Sequence, residues 1–251
     1  VVAVAQSGET ADTLEAMDRA HRSGARTITI TNTEGSQAYR RAEGAILIHA
    51  GQEVGVASSK TFVNSIIAMQ LLAIRLARTR GTLSTAAATE YIEALSHLPA
   101  LLGEALNING NSFQRLAVKY ARSRRFLFIG RGLLEPIARE GALKLKEISY
   151  IHAEGMSAAE LKHGPIALVD RETPVIALAP LNDLYEKMLS NIAQVRARDG
   201  QVIGITSVGN HEFTGLVDDV LLIPEAPLLL EPMVATIPVQ LLAYHLADLL
   251  G

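Results

Sequence analysis

The feature that most constrains this chain is a repeat of itself. Val1 to Asn32, VVAVAQSGETADTLEAMDRAHRSGARTITITN, resembles Val175 to Ser207, VIALAPLNDLYEKMLSNIAQVRARDGQVIGITS, each reading as strand, loop, helix, glycine, strand. Downstream, AILIH at 45–49 parallels VLLIP at 220–224, and QLLA recurs at 70–73 and 240–243. A duplicated unit in which β-branched apolar runs alternate with segments of helical period predicts parallel sheets covered by helices. The fold class expected is therefore α/β: two subdomains related by a pseudo-repeat, each a parallel sheet in a three-layer αβα sandwich.

The expected strands are Val1–Ala5, Thr27–Thr31, Ala45–His49, Arg125–Ile129, Val175–Ala179, Val202–Thr206 and Val220–Ile223, with helices between them. This divides the chain into a first subdomain at 1–80, a helical connection at 81–124 and a second subdomain at 125–251. The second half carries a leading unit, RFLFIGRG followed by PIAREGALKLKEIS, that has no counterpart ahead of Val1. The first subdomain is expected to be incomplete at its N-terminus, with an uncovered sheet edge, and the chain to be a piece of a longer protein.

Composition narrows the function classes. The formal net charge of −3 arises from 23 basic and 26 acidic residues spread along the chain, so no basic stripe is available for nucleic acid. No uninterrupted run of about eighteen apolar residues occurs, which predicts a soluble protein with no membrane span. The absence of cysteine removes disulfides, thiolate metal sites and a thiol nucleophile, and makes the cytoplasm the default compartment. Val1–Ala5 is a short apolar run without a basic flank, read as a strand rather than a leader.

Chemistry must come from carboxylates, imidazoles, amines and hydroxyls. Gln6, Ser7, Gly8, Glu9 and Thr10 stand where the first strand hands over to an amphipathic helix. Free amide groups and the positive dipole end there suit a phosphate monoester, although a plain helix cap at Ser7 has the same spacing. The matching loop of the second copy, Pro180 to Asp183, has no hydroxyl and carries an acid, so only the first half suits an anion. Glu53 to Lys60, EVGVASSK, is a second candidate wall, with helix capping as its alternative. In the helix from Pro136 to Tyr150, Glu140, Lys144 and Glu147 share one stripe. On composition alone, Lys144 and Glu147 read as a solvated ion pair; in a pocket they would be a base and its cation. The segment Tyr150 to Pro165 is rich in ionisable groups, and His163 lies at its His-Gly-Pro reversal as either a surface residue or a catalyst. His152, Glu154 and His163 fit no standard ligand spacing, so no metal is expected.

QSGETADTL (6–14), EVGVASSKTF (53–62), EGALKLKEISYIHAE (140–154), ELKHGP (160–165) and IPVQLLAYH (237–245) together resemble the isomerase domain of the glucosamine-6-phosphate synthases. The resemblance spans nearly the whole chain and implies two sugar isomerase (SIS) domains, each with a five-stranded parallel sheet. It implies conversion of fructose 6-phosphate and ammonia to glucosamine 6-phosphate without a cofactor. Gln6, Ser7 and Thr10 would surround the phosphate, and the Val56 backbone and Ser58 would contact the sugar. Glu147 would move a proton between C1 and C2, Lys144 would support it, and His163 would open the sugar ring from the neighbouring subunit of a homodimer. Three departures accompany it. Ala5 stands where the family commonly has serine, the C-terminal tail that carries a lysine is missing, and so is the glutaminase domain that serves as ammonia source. A standalone deaminating isomerase, a fructosamine-phosphate deglycase and a non-catalytic sugar-phosphate-binding module are the alternatives.

Overall fold

A computed structural model describes the chain from Val1 to Gly251, and its contacts divide it into two units, Val1–Glu93 and Ala94–Gly251. The first is built from β1 (Val2–Ala5), α1 (Ala11–Arg22), β2 (Ile28–Thr31), α2 (Gln37–Arg41), β3 (Gly44–Leu47) and α3 (Lys60–Thr79), and α4 (Thr85–Asn107) begins within it. Its three strands are parallel in the order β1-β2-β3. Alternation along the strands sends Ala3 to one face, where Leu14 and Met17 of α1 and Ala38 of α2 cover it. Ile30 goes to the other, against Ile48 and Ala68 of α3. Three layers therefore form around two small cores. β1 has a strand partner on one side only, and Val2 and Val4 remain 44% and 43% exposed.

The second unit contains α5 (Ser112–Tyr120), β4 (Arg125–Gly130), α6 (Glu135–Ser149), β5 (His152–Ser157), β6 (Val175–Leu178), α7 (Tyr185–Arg196), β7 (Val202–Ser207), β8 (Asp219–Ile223) and α8 (Glu231–Leu250). All five strands are parallel, in the order β5-β4-β6-β7-β8. The run β6-β7-β8 reproduces β1-β2-β3, which is the repeat seen in the sequence. Helices α5 and α6 both pack on α8, while Met188, Ile192 and Val195 of α7 enter the core with the strands. The stretch 81–124 thus holds α4 and α5, and α5 packs on α8 of the second unit rather than standing apart as part of a connection.

The structure corrects the expectations at two points. The five-stranded sheet implied for each half is found in the second unit, whereas the first has three strands. The polar segment after α6 is not free of strand: HAEGMS forms β5, paired along its length with β4. Its propensity is poor, and tertiary pairing overrides it. A Cβ at Gly155 would stand 2.3 Å from Arg139 Cα, so glycine is what lets α6 lie directly on this strand. Helices α3 and α8 are each long and apolar enough to cross a membrane by length and hydropathy, and neither is the uninterrupted apolar run whose absence the sequence shows. In α8 that surface is core: Met233, Val234, Val239, Leu242 and Leu246 are buried.

Candidate active site

The loop after β1 is shaped by its glycine. Gly8 has φ of +69°, and a Cβ there would come within 2.2 Å of Ser36 Oγ. Its carbonyl accepts from Ala38 N at 2.9 Å, and the Gln6 carbonyl accepts from Asn32 N at 3.1 Å, so the loop is held by the neighbouring β2–α2 connection. The Glu9 carboxylate turns away to α2, accepting from Gln37 N at 2.9 Å and Gln37 Nε2 at 2.7 Å. Those bonds hold its carboxyl below the usual range. Helix α1 starts after Thr10 with no side chain bonded to its first turn. Its leading amides and dipole therefore face outward beside Gln6, Ser7 and Thr10, an arrangement suited to an anion.

Helix α3 starts differently. Glu53 Oε1 accepts from Ser59 N at 2.7 Å, Lys60 N at 2.9 Å and Ser59 Oγ at 3.0 Å, and Oε2 accepts from Thr61 Oγ1. This N-terminus already holds an anion, and the donors drive the Glu53 pKa down to about 2 against the desolvation of the site. Ser58 Oγ lies 2.5 Å from Thr61 Oγ1, and Val56 is 91% exposed on the loop ahead of the helix.

On α6, Lys144 is buried at 4% exposure, with its Nζ 2.7 Å from Glu147 Oε2 and 3.4 Å from Glu140 Oε1. The solvated ion pair that composition favoured is overturned: Lys144 lies buried on a helix that packs against α8, β5 and β4, and its ammonium is withdrawn from water. Both contacts are ion pairs by distance without hydrogen-bond alignment, and Glu140 is itself buried. Desolvation pushes the Glu140 carboxyl up, with the Lys144 charge opposing it. Glu147 is the outer member of the row, with 29% of its side chain exposed.

His163 ends a short 3-10 turn at Leu161–His163 and is exposed. It lines an open groove of about 430 Å³ with Arg139, Lys146, Glu154, Glu160 and Pro165. Lys144 and Glu147 do not line that groove, since Arg139 and Lys146 occupy a neighbouring stripe of α6. Within one chain, His163 and Glu147 thus open on different surfaces.

A family model for the SIS domain matches residues 1–75 and 119–249. The chain belongs to the SIS domain family. Over its full length this SIS chain is 49% identical to the glutamine--fructose-6-phosphate aminotransferase [isomerizing] of Thermus thermophilus and 46% identical to that of Thermococcus kodakarensis. It spans 41% of the length of each. The C-terminal domain of the glucosamine-fructose-6-phosphate aminotransferase from Francisella tularensis superimposes with a TM-score of 0.95 at 38% identity, covering all of this chain and 70% of that one. The resemblance read from the motifs is thereby shown.

The two SIS repeats differ where their loops matter. In the second, Asn182 Nδ2 donates to Glu231 Oε2 at 2.7 Å, tying the loop after β6 to the start of α8. Glu231 is buried, and desolvation raises its pKa. Sequence reasoning passed over two acids of this SIS chain that the structure makes central. Glu140 stands on the predicted stripe without an assigned role, and for Glu53–Lys60 the structure bears out the helix-capping alternative, with the Glu53 side chain itself as the cap. The i, i+4 spacing from Glu140 to Lys144 was the available signal for the first.

Proposed function

We propose that this chain carries the sugar-isomerising reaction that converts fructose 6-phosphate and ammonia to glucosamine 6-phosphate. The observation that carries the reading is the buried Glu140–Lys144–Glu147 row, a carboxylate with a desolvated ammonium beside it at the positions of the family motif. The substrate phosphate would sit on the open amides of α1 with Gln6, Ser7 and Thr10, and the sugar against the Val56 backbone and Ser58.

The chemistry follows from the needs of the reaction. Ring opening removes a proton from the anomeric hydroxyl and returns one to the ring oxygen, a task for His163. Ammonia adds to the C2 ketone of the open chain with loss of water, giving an imine. Glu147 takes a proton from C1 as the imine nitrogen gains one, giving an enaminol, and then delivers its proton to C2 as the C1 hydroxyl gives one up, so that C1 becomes the aldehyde and C2 carries the amine. Lys144 offsets the negative charge that develops between these carbons. Because His163 and Glu147 face different ways in one chain, a homodimer in which His163 completes the partner's site fits the geometry. The ammonia source would be a glutaminase domain, and the compartment the cytoplasm, in keeping with a cysteine-free chain.

The test is thermal and kinetic. Fructose 6-phosphate and glucosamine 6-phosphate should each raise the melting temperature, and Glu147→Gln should abolish isomerisation with binding retained. Indifference to both sugars, with turnover of another amino sugar phosphate, would assign the site to a deaminating isomerase or deglycase instead.

A further inference from the structure

We infer that Glu53 is a positioning residue, a built-in anion that staples together the two ends of the loop forming the sugar-facing wall at Val56 and Ser58. The inference rests on the proposed function for what the wall contacts, but the staple itself is read from geometry. Val54 and Val56 are 88% and 91% exposed, so no core burial holds this loop. Residues 54–57 make no hydrogen bonds within the structure. Upstream, the loop is held where Asn32 bonds Ala50 N at 2.9 Å and the Gly51 carbonyl at 2.7 Å. Downstream, Ser59 is the N-cap of α3, and its side chain makes no cap bond to the helix amides.

Between these two anchors the Glu53 carboxylate reaches across to Ser59, Lys60 and Thr61, and Thr61 Oγ1 in turn meets Ser58 Oγ. One side chain therefore closes the loop, supplies the missing helix cap and fixes the hydroxyl that would face the sugar. A carboxylate on helix N-terminal amides is a charge-assisted contact, stronger than the neutral caps elsewhere in the chain. It also assigns distinct roles to two helix starts of the first unit: α3 is filled from within, and α1 is left for the ligand.

The test uses Glu53→Gln, which keeps the shape but loses the charge, and Glu53→Ala, which vacates the anion position. In Glu53→Ala, amide hydrogen exchange at Ser59 and Lys60, whose N–H groups bond the Glu53 carboxylate, should quicken about tenfold, and added formate should slow it again by re-occupying the α3 amides. In Glu53→Gln, KM for the hexose phosphate should rise about tenfold with kcat essentially unchanged, the signature of lost ground-state positioning. Unaltered exchange and KM in both variants overturn the inference. So does a kcat loss without a KM change, which would make Glu53 part of the chemistry. If Glu53→Ala does not fold, Glu53→Gln is read alone by exchange and KM. If the unmodified chain turns over no hexose phosphate, the proposed function fails, and Glu53 is judged on exchange and the formate response.

Discussion

Lys144 Nζ lies 2.7 Å from Glu147 Oε2, three residues along the same helix, with only 4% of the lysine exposed to solvent. A second carboxylate, Glu140, approaches from the other side at 3.4 Å. Two acids thus share one desolvated ammonium, and removing the cation should be costly.

Lys144→Met should destabilise the chain by about 3 kcal/mol, as expected when one partner of a buried ion pair is deleted. The loss should grow with pH. Burial raises the Glu140 pKa above its unfolded value, so the unfolded chain releases that proton first. The stabilisation belonging to the protonated form is complete below the unfolded pKa and falls as pH rises through the folded one. Without the opposing lysine charge, that decline should extend to higher pH. Urea unfolding of both proteins across the acid-to-neutral range measures it.

Glu53 should behave in the opposite sense. Its pKa is depressed to about 2, so its contribution is present above the ordinary carboxylate pKa near 4.5 and is lost as pH falls toward 2. Acid titration of the Ser59 and Lys60 amides by NMR should report a midpoint near the lower value. Glu53→Gln should remove that transition.

Gly8→Ala should cost about 1 to 3 kcal/mol, because alanine meets both a left-handed backbone angle and Ser36 Oγ. The strain falls on the loop that would hold the phosphate, so affinity for fructose 6-phosphate should fall along with the melting temperature. Titration calorimetry beside a thermal melt separates the two effects.

Ala5→Ser should act as a gain of function. Ala5 ends β1, next to Gln6 and Ser7, where the resemblance to the glucosamine-6-phosphate synthases implies a serine. A restored hydroxyl donor contributes about 0.5 to 1.5 kcal/mol, or roughly two- to tenfold tighter hexose phosphate binding. Equal affinity in the two proteins would place the phosphate elsewhere.

The parts legible in the sequence were those written as a period. β-Branched runs such as ITIT in β2 and VIGITS in β7 announce buried parallel strands, and duplication made each half a check on the other. The strand HAEGMS was illegible because nothing in its own composition favours extension; it forms by pairing with β4 beneath α6. The burial of Lys144 was equally hidden, since an i, i+3 pair looks the same whether it faces water or a neighbouring helix. What decided it was the packing of α6 against α8, β5 and β4, which a pair spacing within one helix does not show. The role of Glu53 escaped for a different reason: a carboxylate that caps a helix across a loop leaves no fixed spacing to search for.

The close approach at Gly155 reaches further than one edge strand. With Arg139 Cα 2.3 Å from where a methyl group would stand, this glycine works as a shim that sets the height of α6 over the sheet. Lys144 and Glu147 ride on that helix, so their height over the sheet is gauged by the one position of β5 that has no side chain. A swap to alanine would lift both groups outward without touching either, and with them the site that the proposed reaction would use.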